Sequence, residues 1–195
     1  MSKAQSTRMN IIQKSFDLIY ERGYQSTSID DIIATTQMTK GAFFYHFKNK
    51  EEMGLAVINE MLYPHMIPFL DKHLARSGDA RANIYRMMEV LLLEDTFFKV
   101  EFGCPMVNLI EEMAPHNPSF RRALIRVISL WQSEVETAII NAQAEGLMSK
   151  SHNAKNVAQY ISANYGGARY MGKLYGKAVY TTFLNEFKKY LDGLK

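Results

Sequence analysis

With only one cysteine, Cys104, in 195 residues, the chain can form no intramolecular disulfide and no multi-cysteine metal site, which fits a reducing compartment. No stretch approaches the roughly 18 uninterrupted apolar residues of a membrane span. The start, Met1 to Asn10, lacks the apolar run of a secretory signal. The expected location is therefore the cytoplasm, with no membrane partner. Strand-type alternation of useful length, internal repeats and low-complexity tracts are also missing. So are a phosphate-binding glycine motif, a zinc-protease His-Glu pair, a nucleophile elbow and a calcium loop. His65 and His73 lie near one another in a proline-interrupted segment but have no third ligand. The expectation is a protein without catalytic residues, without a metal and without a cofactor.

What is present is unevenly spread. Residues 1 to 50 carry seven Lys or Arg (Lys3, Arg8, Lys14, Arg22, Lys40, Lys48, Lys50) against four acids (Asp17, Glu21, Asp30, Asp31), a surplus of three. That surplus is the whole net charge of +3, because the remainder holds sixteen basic and sixteen acidic residues. A basic first quarter on a neutral body points to an anionic partner for the head, although solubility alone could also account for three charges.

Periodicity predicts an all-α protein. A first helix over about Thr7 to Arg22 has Ile12, Phe16, Ile19 and Tyr20 on one face and Gly23 as its stop. A second starts after Ser28, where Ser28 and Asp31 have capping-box spacing and Ile29, Ile32 and Ile33 face inward. A third starts after Thr39. Asn49 with Glu52 caps a fourth, which should kink or break at Pro64 and Pro68, the expected joint between head and body. Beyond it, Ile84, Met87, Met88, Leu91, Asp95 and Phe98 mark one amphipathic helix. A short helix follows Gly103, with Cys104 as cap, Pro105 at the first helical position and Pro115 as stop. The longest starts near Pro118 with the stripe Phe120, Leu124, Val127, Ile128, Trp131, Val135, Ala138 and Ile139, and ends at Gly146; Arg121, Arg122 and Arg126 lie off the stripe. Two more span about Ala154 to Lys173 and Tyr180 to Leu191.

Three short helices within fifty residues have the size of a helix-turn-helix unit, whose second helix enters the major groove. On the third helix Phe43 and Phe47 point inward, whereas Gly41, Phe44, Tyr45 and Lys48 point outward. Adjacent exposed aromatic rings are unusual on a plain surface, and Gly41 allows a backbone to approach a partner closely. The alternative is that all these rings pack between head and body.

The stretch from Thr39 through Lys40-Gly41-Ala42-Phe43-Phe44-Tyr45-His46-Phe47-Lys48-Asn49-Lys50 to Met53 resembles the signature of the TetR family of transcriptional regulators. Gly23-Tyr24 and Thr27-Ser28-Ile29-Asp30-Asp31-Ile32 stand at the family's distances upstream. The resemblance implies a three-helix DNA-binding domain over residues 1–49 and a helical effector-binding and dimerisation domain over residues 50–195. It implies that Ser28 and Lys50 hold phosphates, that Lys40, Gly41 and Tyr45 approach bases or phosphates, and that His46 stands at the flank, with Phe44 and Lys48 on the same face. Three positions depart from the family pattern: Gln37 at a turn position usually Gly, Thr36 at the small position before it, and Phe44 where a tyrosine is usual. A positive φ at Gln37 would cost about 1 kcal/mol.

The resemblance further implies a homodimer built on the last two helices, with Gly167, Ala168, Phe183, Leu184, Phe187 and Leu191 at the interface and hence a palindromic double-stranded operator. Burial of these residues within one chain is the alternative. Tyr85, Phe97, Phe98, Phe102, Trp131, Tyr165 and Tyr170 are candidates to line an adaptable apolar effector cavity, or are plain core. Cys104, at a helix start, would face free N–H groups and the positive end of a dipole, which raises thiol reactivity. Some members of the family it resembles sense oxidants or electrophiles through such a cysteine, and Lys173 is a candidate nearby cation. A lone cysteine is otherwise a small buried hydrophobe. The function expected is a DNA-binding regulator, a repressor released by a small molecule or by a reactive electrophile or oxidant. A helical interaction module without DNA binding, or a helical enzyme, would share the helices but not the salt-dependent duplex binding.

Overall fold

Local capping signals set where the helices begin. The computed structural model describes residues 2–36, 38–74 and 77–195, and its regular elements are all helical. The chain folds as two compact units, Met1–His65 with Pro105–Ile125, and Met66–Cys104 with Arg126–Lys195.

In the first unit α1 (Lys3–Arg22) starts four residues earlier than expected. Ser2 and Gln5 form a capping box that the apolar pattern does not reveal: Gln5 N–H donates to Ser2 Oγ at 3.2 Å and Ser2 N–H to Gln5 Oε1 at 2.8 Å. Gly23 stops the helix at φ 88°, a conformation that favours glycine. α2 (Ile29–Ala34) has the Ser28–Asp31 box, α3 (Lys40–His46) is capped by Thr39, and α4 (Lys50–Ala56) by Asn49. Ile11, Ile12, Phe16, Ile32, Phe43, Phe47 and Met53 are buried, and α1 packs on α2 and α4. α7 (Pro105–Met113) opens on Pro105 as expected.

The kink or break expected at Pro64 does not interrupt the helical run, although the two units part beside it in sequence, between His65 and Met66. A π-helical turn (Val57–Leu62) leads from α4 directly into α5 (Tyr63–His73), with Pro68 inside the latter. Pro64 has no N–H to give the Glu60 carbonyl, and its ring would crowd that carbonyl in a tight turn. Widening by one residue relieves the crowding: Tyr63 N–H bonds the Ile58 carbonyl, and the His65 ring, through Nδ1, takes the Met61 carbonyl at 2.7 Å.

In the second unit α6 (Ala80–Glu89) passes into another π-helical turn (Val90–Glu94), so the helix expected to reach Phe98 ends at Glu94. The Asp95 carboxylate accepts the N–H groups of Phe97 (2.7 Å) and Phe98 (3.2 Å), which turns the chain out of the helix. The extra residue per turn also shifts the register, and Leu92 is buried where Leu91 was expected. α9 (Ala154–Tyr175) and α10 (Ala178–Asp192) pack together, and α10 also lies on α6. α8 (Pro118–Ala144) starts in the first unit and ends in the second; its stripe is buried except for half-buried Ile128, with Arg121, Arg122 and Arg126 exposed.

Candidate functional site

α3 is seven residues long and keeps its inner face through Phe43 and Phe47, whose rings stand 5.7 Å apart in the core. Helical spacing then forces Gly41, Phe44 and Tyr45 outward; these three and Lys48, in the bend after the helix, are exposed, Tyr45 at 79%. A Cβ built at Gly41 would meet nothing closer than Thr39 Oγ1 at 3.8 Å. Nothing in the chain's own packing requires glycine there, where it weakens a helix relative to alanine.

The cations around α3 are held to different degrees. Lys40 Nζ pairs with Asp30 at 2.9 Å with both side chains mostly exposed, a contact of little worth in water and readily exchanged for a phosphate. Among the described residues nothing pairs with the Lys48 ammonium; only its backbone N–H is engaged, to Glu52 Oε2 at 2.8 Å. Lys50 is half-buried, with Nζ on the Gln25 carbonyl at 3.2 Å and 4.4 Å from the centre of the Tyr24 ring. Burial holds its pKa below the usual lysine value. Ser28 Oγ accepts from Asp31 N–H at 3.0 Å and donates to Asp31 Oδ2 at 2.5 Å; that donation, with the Ser28 N–H on the same oxygen at 2.8 Å, holds the Asp31 carboxyl below its usual range. The Ser28 hydroxyl must leave Asp31 to serve a phosphate. His46 lies edge-on to Tyr45, with ring centres 4.9 Å apart. Gln37 lies outside the described residues, while the Thr36 hydroxyl closes back on the Ile33 carbonyl at 2.9 Å.

Three supports behind this face have no local sequence signal. Arg8 on α1 reaches Glu60 and the His46 carbonyl at the end of α3. Glu112 on α7 accepts the backbone N–H groups of Tyr24 (2.8 Å) and Gln25 (2.6 Å), fixing the α1–α2 turn. Gly54 leaves room for Tyr24 and Phe120: a Cβ there would come within 2.6 and 2.7 Å of their rings.

In the second unit Trp131 and Tyr165 are buried edge to face at 4.8 Å. Cys104, 4% exposed, interacts with the Tyr165 hydroxyl. The Lys173 stem runs along Gly103, where a Cβ would come within 2.5 Å of Lys173 Cε. Of the effector candidates, Trp131, Tyr165, Cys104 and Lys173 thus share one region. Phe97 and Tyr170 stand on the surface, and no group of three potential metal ligands occurs among the described residues.

Of the interface candidates, Ala168, Leu184, Phe187 and Leu191 are buried within the chain itself, because α10 turns this face toward α9 and α6. Phe183 is half-buried and Gly167 exposed. The apolar residues that α9 leaves uncovered include Tyr160, Ala163, Gly167, Tyr170 and Leu174, spaced three and four apart along one seam, and Met171 and Tyr175 are exposed as well.

Comparison with known proteins agrees with this architecture. Residues 11–57 match the family model of bacterial regulatory proteins of the tetR family, and residues 82–185 match the tetracyclin repressor-like C-terminal domain. The transcriptional regulator AcuR of Cereibacter sphaeroides is 31% identical over 176 residues, 88% of this chain and 78% of its own length. The regulator TtgR of Pseudomonas putida is 32% identical over 174 residues, covering 85% and 79% of the two chains. A regulatory protein TetR from Rhodobacter sphaeroides superposes with a TM-score of 0.82 at 27% identity, over 96% of this chain and 98% of the other. The chain belongs to the TetR family of bacterial transcriptional regulators.

Proposed function

We propose that the protein is a cytoplasmic homodimeric repressor that binds a palindromic operator through residues 1–49 and is released when residues 50–195 take up an effector. The observation that carries this reading is the outward face of α3, where exposed Tyr45 and Phe44 stand with Lys40, Lys48 and an open Gly41. Exposed rings and cations around a glycine with free space suit the edges and phosphates of a duplex groove. Ser28, Lys50 and His46 complete the contacts at the margins. The partner copy docks through the uncovered seam on α9, and two-fold symmetry then sets two half-sites about one helical turn apart.

Footprinting the purified protein on DNA upstream of its own gene tests the reading. A protected inverted repeat whose affinity falls steeply with salt is expected, at roughly −0.9 in the log–log slope for each neutralised phosphate. No protection, or binding indifferent to salt, would leave a helical interaction module as the better account.

The releasing signal is a small molecule, or an electrophile or oxidant acting at Cys104, whose neighbours are the Tyr165 hydroxyl and the residue lying along Lys173. If quinones, aldehydes or hypochlorite release DNA equally from the wild type and from Cys104→Ser, the thiol is not the sensor.

A further inference from the structure

Arg169 on α9 is 1% exposed, the largest fully buried side chain among the described residues. Its Nε donates to the Tyr165 hydroxyl at 3.1 Å and its Nη2 to the Leu91 carbonyl in the last turn before Asp95. The guanidinium carbon lies 4.9 Å from the ring centre of Phe98, 5.4 Å from Tyr165 and 5.5 Å from Tyr180. No carboxylate among the described residues pairs with it. Arginine stays protonated in proteins, and a full positive charge out of water is costly unless an anion meets it. Ring faces and one carbonyl offset part of that cost. Tyr165 supplies no counter-charge: burial, and then the nearby Cys104, push its phenol well above the ordinary value, so it stays neutral.

Two further donors in the same region lack acceptors. Tyr180 is 0% exposed and its hydroxyl has no hydrogen-bond partner among the described residues. A Cβ at Gly172 would overlap that hydroxyl. Gly172 is three residues on from Arg169, so both lie on one face of α9 and the hydroxyl stands over the turn that carries the guanidinium. Trp131, packed edge-on against Tyr165, has a buried Nε1–H that is also unpaired. Buried donors are ordinarily satisfied. One uncompensated cation and two idle donors, walled by aromatic rings, make a site that lacks only an acceptor.

We propose that Arg169, Tyr180 and Trp131 receive the carboxylate of a small organic monoacid whose apolar body lies among the rings of Phe98 and Tyr165. The planar fork of a guanidinium matches a carboxylate in two parallel bonds. A single buried positive charge balances a monoanion and leaves a phosphate dianion uncompensated. This inference rests on the reading that residues 50–195 take up an effector, and it names that effector's chemical class.

Trp131 is the chain's one tryptophan, so its emission reports directly on the site. The full-length protein is titrated with short aliphatic and aromatic monocarboxylates, with their primary amides and with inorganic phosphate, while Trp131 emission, melting temperature and operator binding are followed. At least one acid should change the emission saturably and raise the melting temperature, with its amide roughly a hundredfold weaker and phosphate unable to displace it. Tyr180→Phe should keep the fold and weaken the acid about tenfold. Arg169→Gln should abolish acid binding while leaving the amides unaffected.

Amides that bind as well as acids, displacement by phosphate, an unchanged affinity in Tyr180→Phe, or a series in which no acid moves emission or melting temperature would each overturn the proposal. Acids that bind without releasing operator DNA would leave this site standing and remove its role as a release switch. Uncharged compounds that release the DNA where acids do not bind would do the reverse.

Discussion

Arg8 grips Glu60 with two parallel bonds, Nε to Oε2 at 3.0 Å and Nη2 to Oε1 at 2.6 Å, and spends its remaining nitrogen on the His46 carbonyl at 2.7 Å. One side chain from the first helix thereby ties the π-helical turn to the last residue of α3. Its guanidinium also lies 4.2 Å from the ring centre of Phe47. The hydrogen bonds to Glu60 hold the Arg8 pKa above its ordinary value.

Arg8→Ala removes the clamp and leaves the His46 carbonyl to solvent. The pair is partly exposed, so screening reduces its worth, and a loss of about 1–2 kcal/mol is expected. Urea unfolding checks the stability, and operator affinity should fall with it because Arg8 holds the end of α3. Arg8→Lys keeps the charge but not the fork, and should recover only part of either quantity. Full recovery would mean that charge alone matters.

Lys48 and Lys50 sit two residues apart and should separate in experiment. The Lys48 ammonium has no partner among the described residues, so Lys48→Ala should leave stability unchanged and reduce the salt slope of operator binding by about 0.9 per protomer. Lys50 also holds the Gln25 carbonyl and lies over Tyr24. Lys50→Ala should therefore lower both melting temperature and affinity. Equal effects of the two substitutions on melting temperature would show that the Gln25 and Tyr24 contacts contribute nothing.

The same contrast explains how much of the molecule could be read in advance. Signals within a few residues were legible: the Ser28–Asp31 box, Asn49 before α4, Gly23 after α1 and Pro105 at the start of α7 all act through their own turn of backbone. The outward face of α3 followed from two phenylalanines four apart. Arg8–Glu60 and Glu112–Tyr24 join residues 52 and 88 positions apart, and no periodicity announces such pairs. The π-helical turns were hidden as well, since the one added residue that passes Pro64 and moves burial from Leu91 to Leu92 leaves the apolar pattern looking like an ordinary helix. On α10, helical spacing identified an apolar face but not what covers it, which is this chain's own α9 and α6.

That last point relocates the surface on which a dimer should depend. Leu174 is 61% exposed, and Tyr170 one turn before it is also exposed, so neither stabilises the single chain greatly. Tyr170→Glu with Leu174→Glu should place like charges across the two-fold seam, halve the mass seen by light scattering and leave helicity intact. Leu184→Glu should instead unfold the α9–α10 pair, because Leu184 is core. A double variant that remains dimeric would exclude this seam as the interface.

Tyr24 offers a test of the packing behind the first turn. Its ring lies edge-on to Phe120, with centres 4.8 Å apart, and under the Lys50 ammonium. Burial above all, and then the negative charges of Glu51 and Glu112, push its phenol from 10.0 up to about 12. Between those two values the unfolded chain gives up the proton while the folded chain keeps it. Fewer protons on the unfolded state mean that stability falls as pH rises through the window, and is fully present only below pH 10. Tyr24→Phe has no proton to lose, so the wild type's stability relative to this variant should decline steadily from about pH 10 upward. A difference between the two that stays flat across that range would mean that Tyr24 ionises as freely in the folded chain as in the unfolded one.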